Sequence, residues 1–160
     1  MNTTIPELPH IFAFPISFVP TMLNSSILVT ILNKLLVDPL QEGELDFLDK
    51  KVLLIKIQDA GLEFRLTMVG DRLIACNHRS PDISIEGRLY DFLLLTTRRE
   101  DPDTLFFNRR LRLTGSTELG LYLKNFLDSL EPEEYLGSVF KYLEQMIQLF
   151  EKISIPRKSV

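Results

Sequence analysis

Cys76 and His78 stand two residues apart, so on a strand both side chains turn to one face. Thiolate and imidazole are zinc ligands, but a site needs one or two more. The only other histidine is His10. The pair reads as a small buried thiol beside a strand-end histidine, and no metal is expected. Covalent catalysis is no better served: there is no Gly-x-Ser-x-Gly elbow and no His-Glu-x-x-His. The carboxylates Asp59, Asp71, Asp82, Asp101 and Asp103 fall at turns, where aspartate serves the backbone. No catalytic residue and no cofactor are expected. The concentrated chemistry is positive, in Arg98, Arg99, Arg109, Arg110 and Arg112. Planar guanidinium groups suit phosphate or carboxylate. Arg98, Arg99, Arg110 and Arg112 are therefore candidates for a lipid head group, an anionic membrane or an acidic partner. A solvated strand face paired with nearby Glu and Asp explains the same cluster.

The elements that would position these groups follow from periodicity. Phe106 to Glu131 reads as a strand, a Gly-Ser turn and an apolar helix. Phe107, Leu111 and Leu113 share one face of that strand with Arg109, and Asn108, Arg110 and Arg112 the other. Gly115 permits the sharp turn, Ser116 caps the helix, and Glu118 suits its first turn. Leu119, Leu123, Phe126, Leu127 and Leu130 recur at helical spacing along it.

Earlier in the chain, Pro6, Pro9, Pro15 and Pro20 interrupt residues 1–20, an extended arm carrying Phe12, Phe14 and Phe18. A helix is expected from Thr21 to about Val37, with Leu28, Ile31, Leu32 and Leu35 on one stripe, ended by Asp38-Pro39. A short helical turn follows near Glu44–Leu48. Strands are expected over residues 51–58, 62–68, 72–77 and 83–86, separated by three tight turns that argue an antiparallel meander. A helix near Arg88–Thr97 contains Phe92, and a polar loop covers residues 98–103. A last helix runs from about Pro132 to Ile153, with Leu136, Val139, Phe140, Leu143, Met146, Ile147 and Phe150 on one face. Residues 21–155 form one domain on this reading, and 156–160 a short basic tail. The order is α+β: a single, mostly antiparallel sheet with helices over one face.

Bulk properties narrow the class. Net charge is −4 over 160 residues, which disfavours nucleic-acid binding. A single cysteine excludes an internal disulfide and fits a reducing compartment. The opening MNTTIPELPH lacks a basic region of the secretory kind, so a cytoplasmic protein is expected. Ile11 to Asn33 carries no charge, but Pro15, Pro20, Asn24, Ser25 and Ser26 interrupt it. It can touch a membrane surface without crossing one.

The residues Phe107-Asn108-Arg109-Arg110-Leu111 and Thr114-Gly115-Ser116-Thr117-Glu118-Leu119-Gly120-Leu121 resemble the sterol carrier protein type 2 lipid-binding domain, and within it the UbiT family. Gly43-Glu44-Leu45-Asp46-Phe47-Leu48 and the strand Val52 to Asp59 fit as well, so the resemblance covers about residues 20–150. It implies a mixed sheet with the motif strand added late, and helices enclosing an apolar lipid cavity. It also implies an accessory role in oxygen-independent ubiquinone synthesis, holding the isoprenoid tail of quinone precursors or another membrane lipid such as a phospholipid. UbiU and UbiV are the implied partners, with peripheral contact to an anionic inner membrane. On that basis Leu28, Ile31, Leu35, Phe92, Phe107, Leu119, Leu123, Phe126, Leu127, Phe140, Leu143 and Ile147 are the expected lipid-contacting residues. Apolar stripes and eleven Phe fill a solid core equally well. A scaffold without bound lipid therefore stays open, as does an acyl or prenyl hydrolase or transferase.

Overall fold

The computed structural model describes residues 21–77 and 79–154. The proline-rich arm, His78 and the basic tail lie outside the described residues. Helix α1 (Thr21–Leu35) stops at Leu36, and a second short helix α2 (Val37–Gln41) carries Pro39 in its first turn. Pro39 thus starts a helix instead of ending one, since proline is tolerated where the amide has no helical partner. A single 3-10 turn, Asp46–Leu48, leads into the sheet.

Strands β1 (Leu53–Ile57), β2 (Leu62–Val69) and β3 (Arg72–Ala75) form the expected antiparallel hairpins. Strand β4 (Ile83–Gly87) departs from a meander. It pairs parallel to β1, with Leu53 opposite Ile83 and Ile57 opposite Gly87. Asp82 explains the crossing: its Oδ2 accepts from the amide of Val52 at 2.8 Å, and its own amide donates to the Val52 carbonyl at 2.9 Å. Those bonds seat the start of β4 beside the start of β1. Strand β5 (Leu111–Gly115) joins antiparallel to β4, giving a five-stranded mixed sheet in the order β3-β2-β1-β4-β5.

Residues directly opposite across a ladder share a face. Leu53, Ile55, Phe64, Leu66, Ile83, Ile85 and Leu113 therefore lie on one side. Lys56, Glu63, Glu86 and Arg112 lie on the other, where Lys56 pairs with Glu63 at 3.8 Å. The apolar side carries the main core. Helix α1 covers its β2–β3 half. There the Asn33 amide mimics a strand, donating to the Leu73 carbonyl at 2.7 Å and accepting from the Leu73 amide at 2.9 Å. Buried Ser25 accepts from the Arg65 amide at 2.9 Å. The edge is thereby satisfied instead of left as a template for aggregation.

Between β4 and β5 the structure corrects the sequence reading. Helix α3 (Leu89–Thr96) is as expected, but residues 102–107 form another helix, α4 (Pro102–Phe107). Asp101 caps it, accepting from the Thr104 amide at 3.0 Å, with Pro102 at the first position. Arg109 then adopts φ 56°, a left-handed conformation that ends the helix and forbids an extended strand. The motif strand begins only at Leu111, so Phe107 and Arg110 are not strand residues.

Gly115 turns with φ 107°, and a Cβ there would stand 2.5 Å from the Asp82 carbonyl oxygen. Helix α5 (Thr117–Ser129) follows, capped as expected by Ser116, whose Oγ accepts from the Leu119 amide at 3.3 Å. The last helical stretch is two helices, α6 (Pro132–Leu136) and α7 (Val139–Ser154), broken by Gly137 at φ 49°.

Candidate functional site

The candidate site is the apolar face of the sheet. Helix α5 lies directly on its β4–β5 half: a Cβ added at Gly120 would meet Ile83 Cδ1 at 3.7 Å and Leu113 Cδ1 at 3.8 Å. Helix α1 occupies the β2–β3 half, with Val29 buried in the main core. The middle, over the central strand β1, is covered less well. Leu53 and Ile57 are buried at the two ends of β1, yet Ile55 between them is only half-buried, although it packs against the core. Its cross-strand neighbour Phe64 is also half-buried. Leu28, Leu32 and Leu35 of α1, Phe92 of α3 and Leu127 of α5 are half-buried apolar side chains around the same core. A central inward residue should be the best-buried position of a one-sided sheet. Here the two helices stand over opposite halves of the sheet, and the apolar side chains at its middle are half-buried.

The expected lipid-contacting residues do not all meet in one place. Leu28, Leu35, Phe92, Leu119, Leu123, Phe126 and Leu127 meet in the main core. Leu143 and Ile147 belong to a second cluster with Leu93, Leu94 and Phe150, where α7 packs on α3. Phe140 is half-buried at the start of α7. Ile31 is 47% exposed on the outer side of α1, and Phe107 is 88% exposed at the end of α4. Ile55 and Phe64 were not singled out from sequence, because strand alternation marks a face and not what covers it.

Three of the four candidate arginines are tied into the fold. Arg98 donates from Nε to the Leu130 carbonyl at 3.1 Å and also pairs with Asp128, fastening the end of α3 to the end of α5. Arg99 meets Glu151 of α7 at 3.4 Å. Arg110 donates from Nε to Asp91 Oδ1 at 2.7 Å, with Nη2 on the same oxygen, joining the start of β5 to α3. Asp91 is 1% exposed. Burial pushes its carboxyl above the ordinary aspartate value, against the downward pull of Arg110 and Arg88. Arg112 is exposed on the polar face of the sheet, opposite Glu86.

Cys76 is half-buried, and burial raises its thiol more than Arg79 and Arg65 lower it, so it is not held as a thiolate. Among the described residues no group of three or more His, Cys, Asp or Glu side chains could hold a metal ion. No described helix is long and apolar enough to cross a membrane.

Comparison with known proteins agrees with this architecture. Residues 30–128 match the SCP-2 sterol transfer family. The chain is 34% identical over 143 residues to the ubiquinone biosynthesis accessory factor UbiT of Escherichia coli K12, covering 89% of this chain and 82% of that protein. The UbiT of Escherichia coli O157:H7 matches equally well. The solved UbiJ-SCP2 ubiquinone synthesis protein superposes with a TM-score of 0.53 at 16% identity, over 66% of this chain and 94% of that one, a likeness of fold. The one-sided mixed sheet, its late motif strand and these matches place the chain in the SCP-2 sterol transfer family and, within it, in the UbiT family of ubiquinone biosynthesis accessory factors.

Proposed function

We propose that the protein holds the isoprenoid tail of a ubiquinone precursor along the apolar strip between α1 and α5, and presents the ring to modifying enzymes. The half-burial of Ile55 at the centre of the apolar face carries this reading. A solid core would bury that position first. The chemistry of the cargo supplies the need. Each methylene removed from water contributes about 0.8 kcal/mol, so a polyprenyl tail in water is very costly and an apolar sleeve removes the cost. The half-buried apolar side chains we assign to the strip are Leu28, Leu35, Ile55, Phe92 and Leu127.

Membership of the UbiT family supports a setting in ubiquinone synthesis. The oxygen-independent branch, with UbiU and UbiV as partners, is the finer assignment we attach to it. Work on the cytoplasmic side with peripheral contact to an anionic membrane belongs to the same proposal. Titration with prenylated phenols of increasing tail length tests the carrier reading. Affinity should climb with each added isoprene unit until the strip is filled. A ring without a tail binding as tightly as a tailed one would overturn it.

A further inference from the structure

Helix α7 is apolar over two adjoining stripes. Leu143, Ile147 and Phe150 pack on α3. Beside them Val139, Tyr142, Met146, Leu149 and Ile153 recur at alternating steps of three and four, one continuous stripe. This second stripe faces outward, from 39% exposed at Val139 to 68% at Tyr142. An apolar row of that length on a surface helix marks an interaction face.

The charges say which kind. The polar row Lys141, Gln145, Gln148 and Lys152 borders the exposed stripe, with Lys152 three residues from Leu149. The glutamates sit on the other flank. Glu144 lies three residues before Ile147 and Glu151 four after it, toward the packed side. There Glu151 accepts from Tyr90 Oη at 3.2 Å and pairs with Arg99 at 3.4 Å. The outward side of α7 therefore shows apolar groups edged by lysines, with its acids turned away or neutralised.

We propose that this stripe of α7 is the face by which the protein lies on an anionic lipid bilayer while it takes up or delivers its cargo. The inference rests on the carrier reading, since a bilayer is where a polyprenyl lipid resides. The helix has 16 residues, about 24 Å of length, lying in the plane of the interface with its apolar stripe in the head-group boundary. Lysines at its edge meet lipid phosphates. A second copy of the chain fits less well. A stable protein interface takes roughly 800 Å² per partner from some 20–30 residues, and five side chains on one helix fall short. Arg98, Arg99 and Arg110 do not serve here, being spent on internal ties.

The test is flotation of the full chain with phosphatidylglycerol–phosphatidylethanolamine vesicles and with phosphatidylcholine vesicles, at low and high salt. Wild type should float with the anionic vesicles, less so in salt. Met146→Glu/Leu149→Glu should lower that binding at least about tenfold. Both positions face outward, so the thermal melt should hold. Met146→Ala/Leu149→Ala is the gentler variant if it does not, with a smaller loss expected. Sedimentation velocity on the same samples reads self-association. Flotation of the variants at the wild-type level overturns the proposal. So does a wild type that fails to float, or a wild-type dimer that the glutamate variant dissolves. Mass spectrometry of lipid extracted from each purified protein keeps the two readings apart. Variants that keep their lipid but lose the vesicle leave carriage intact. A wild type that floats yet carries no lipid upholds the surface and sinks the carrier.

Discussion

Ile55→Trp asks whether the centre of the sheet is open. The indole replaces a half-buried side chain between Phe64 and Ile85, on the inward face of the central strand. Tryptophan is a good strand residue, so backbone preference does not confound the result. In a filled core the extra ring costs roughly 1–3 kcal/mol. For a chain of this size that lowers Tm by about 2–4 °C per kcal/mol. In an open strip the ring lies in lipid space, and the cost should stay below about 1 kcal/mol. The cargo then suffers instead. Excluding one isoprene unit of about five carbons forfeits about 4 kcal/mol of burial, close to three orders of magnitude in affinity. Thermal melts and lipid extraction on one preparation separate the cases. The chain has no other Trp, so the emission of the introduced indole also reports whether the site is wet or apolar. Leu66→Trp is the control: Leu66 faces the same way but is 1% exposed, and should lose stability in full. A large fall in Tm for Ile55→Trp with lipid content unchanged would refute the open strip. An unchanged Tm with unchanged lipid would refute a cargo lying over Ile55.

Leu127→Trp should likewise lose cargo with little loss of stability, whereas buried Leu123→Trp on the same helix should lose roughly 1–3 kcal/mol; paired denaturation and lipid assays read both. Arg110→Ala strands Asp91 and should cost about 3–5 kcal/mol by urea denaturation, with Asp91→Leu/Arg110→Met recovering much of it. Because the native pKa of Asp91 is raised, the native state binds its proton more tightly than the unfolded chain does. This group's contribution to stability should therefore fall as pH rises from the ordinary aspartate value through the native one, and stay level below. Asp91→Asn should remove that slope from stability measured across the acid range. Gly115→Ala forces a side chain into a left-handed turn against the Asp82 carbonyl and should cost more than about 1 kcal/mol, read from the shift in Tm.

What the sequence made legible was whatever local chemistry decides. Alternation located β1, β2, β3 and β4 within a residue or two, and Ser116 was readable as a cap because a hydroxyl before an apolar helix has one obvious use. The errors lie where tertiary context or a local signal was outvoted. Asp101-Pro102 is a helix start that can be read from residue types alone. The alternation of Phe107, Leu111 and Leu113, with Arg109 between them, masked it. The left-handed Arg109 that makes the alternation meaningless has no sequence mark. The parallel pairing of β4 with β1 hangs on the bonds of Asp82 to Val52, a contact between residues thirty apart in the chain. The arginine cluster was legible as charge, but the ion pairs of Arg98, Arg99 and Arg110 were not. Its partners Asp91, Asp128 and Glu151 come from three separate helices, and no spacing rule brings them together. The family resemblance supplied the expectation of a lipid. The place we propose for it, over half-buried Ile55, depends on where two helices rest on one sheet.

Native mass spectrometry of the protein, purified without detergent from cells making ubiquinone, tests the central claim most directly. The account predicts a folded species heavier than the chain by one lipid, released on collision as a polyprenylated phenol or quinone, and absent from Ile55→Trp. A folded wild type whose mass is that of the chain alone, from cells rich in the precursor, would contradict it.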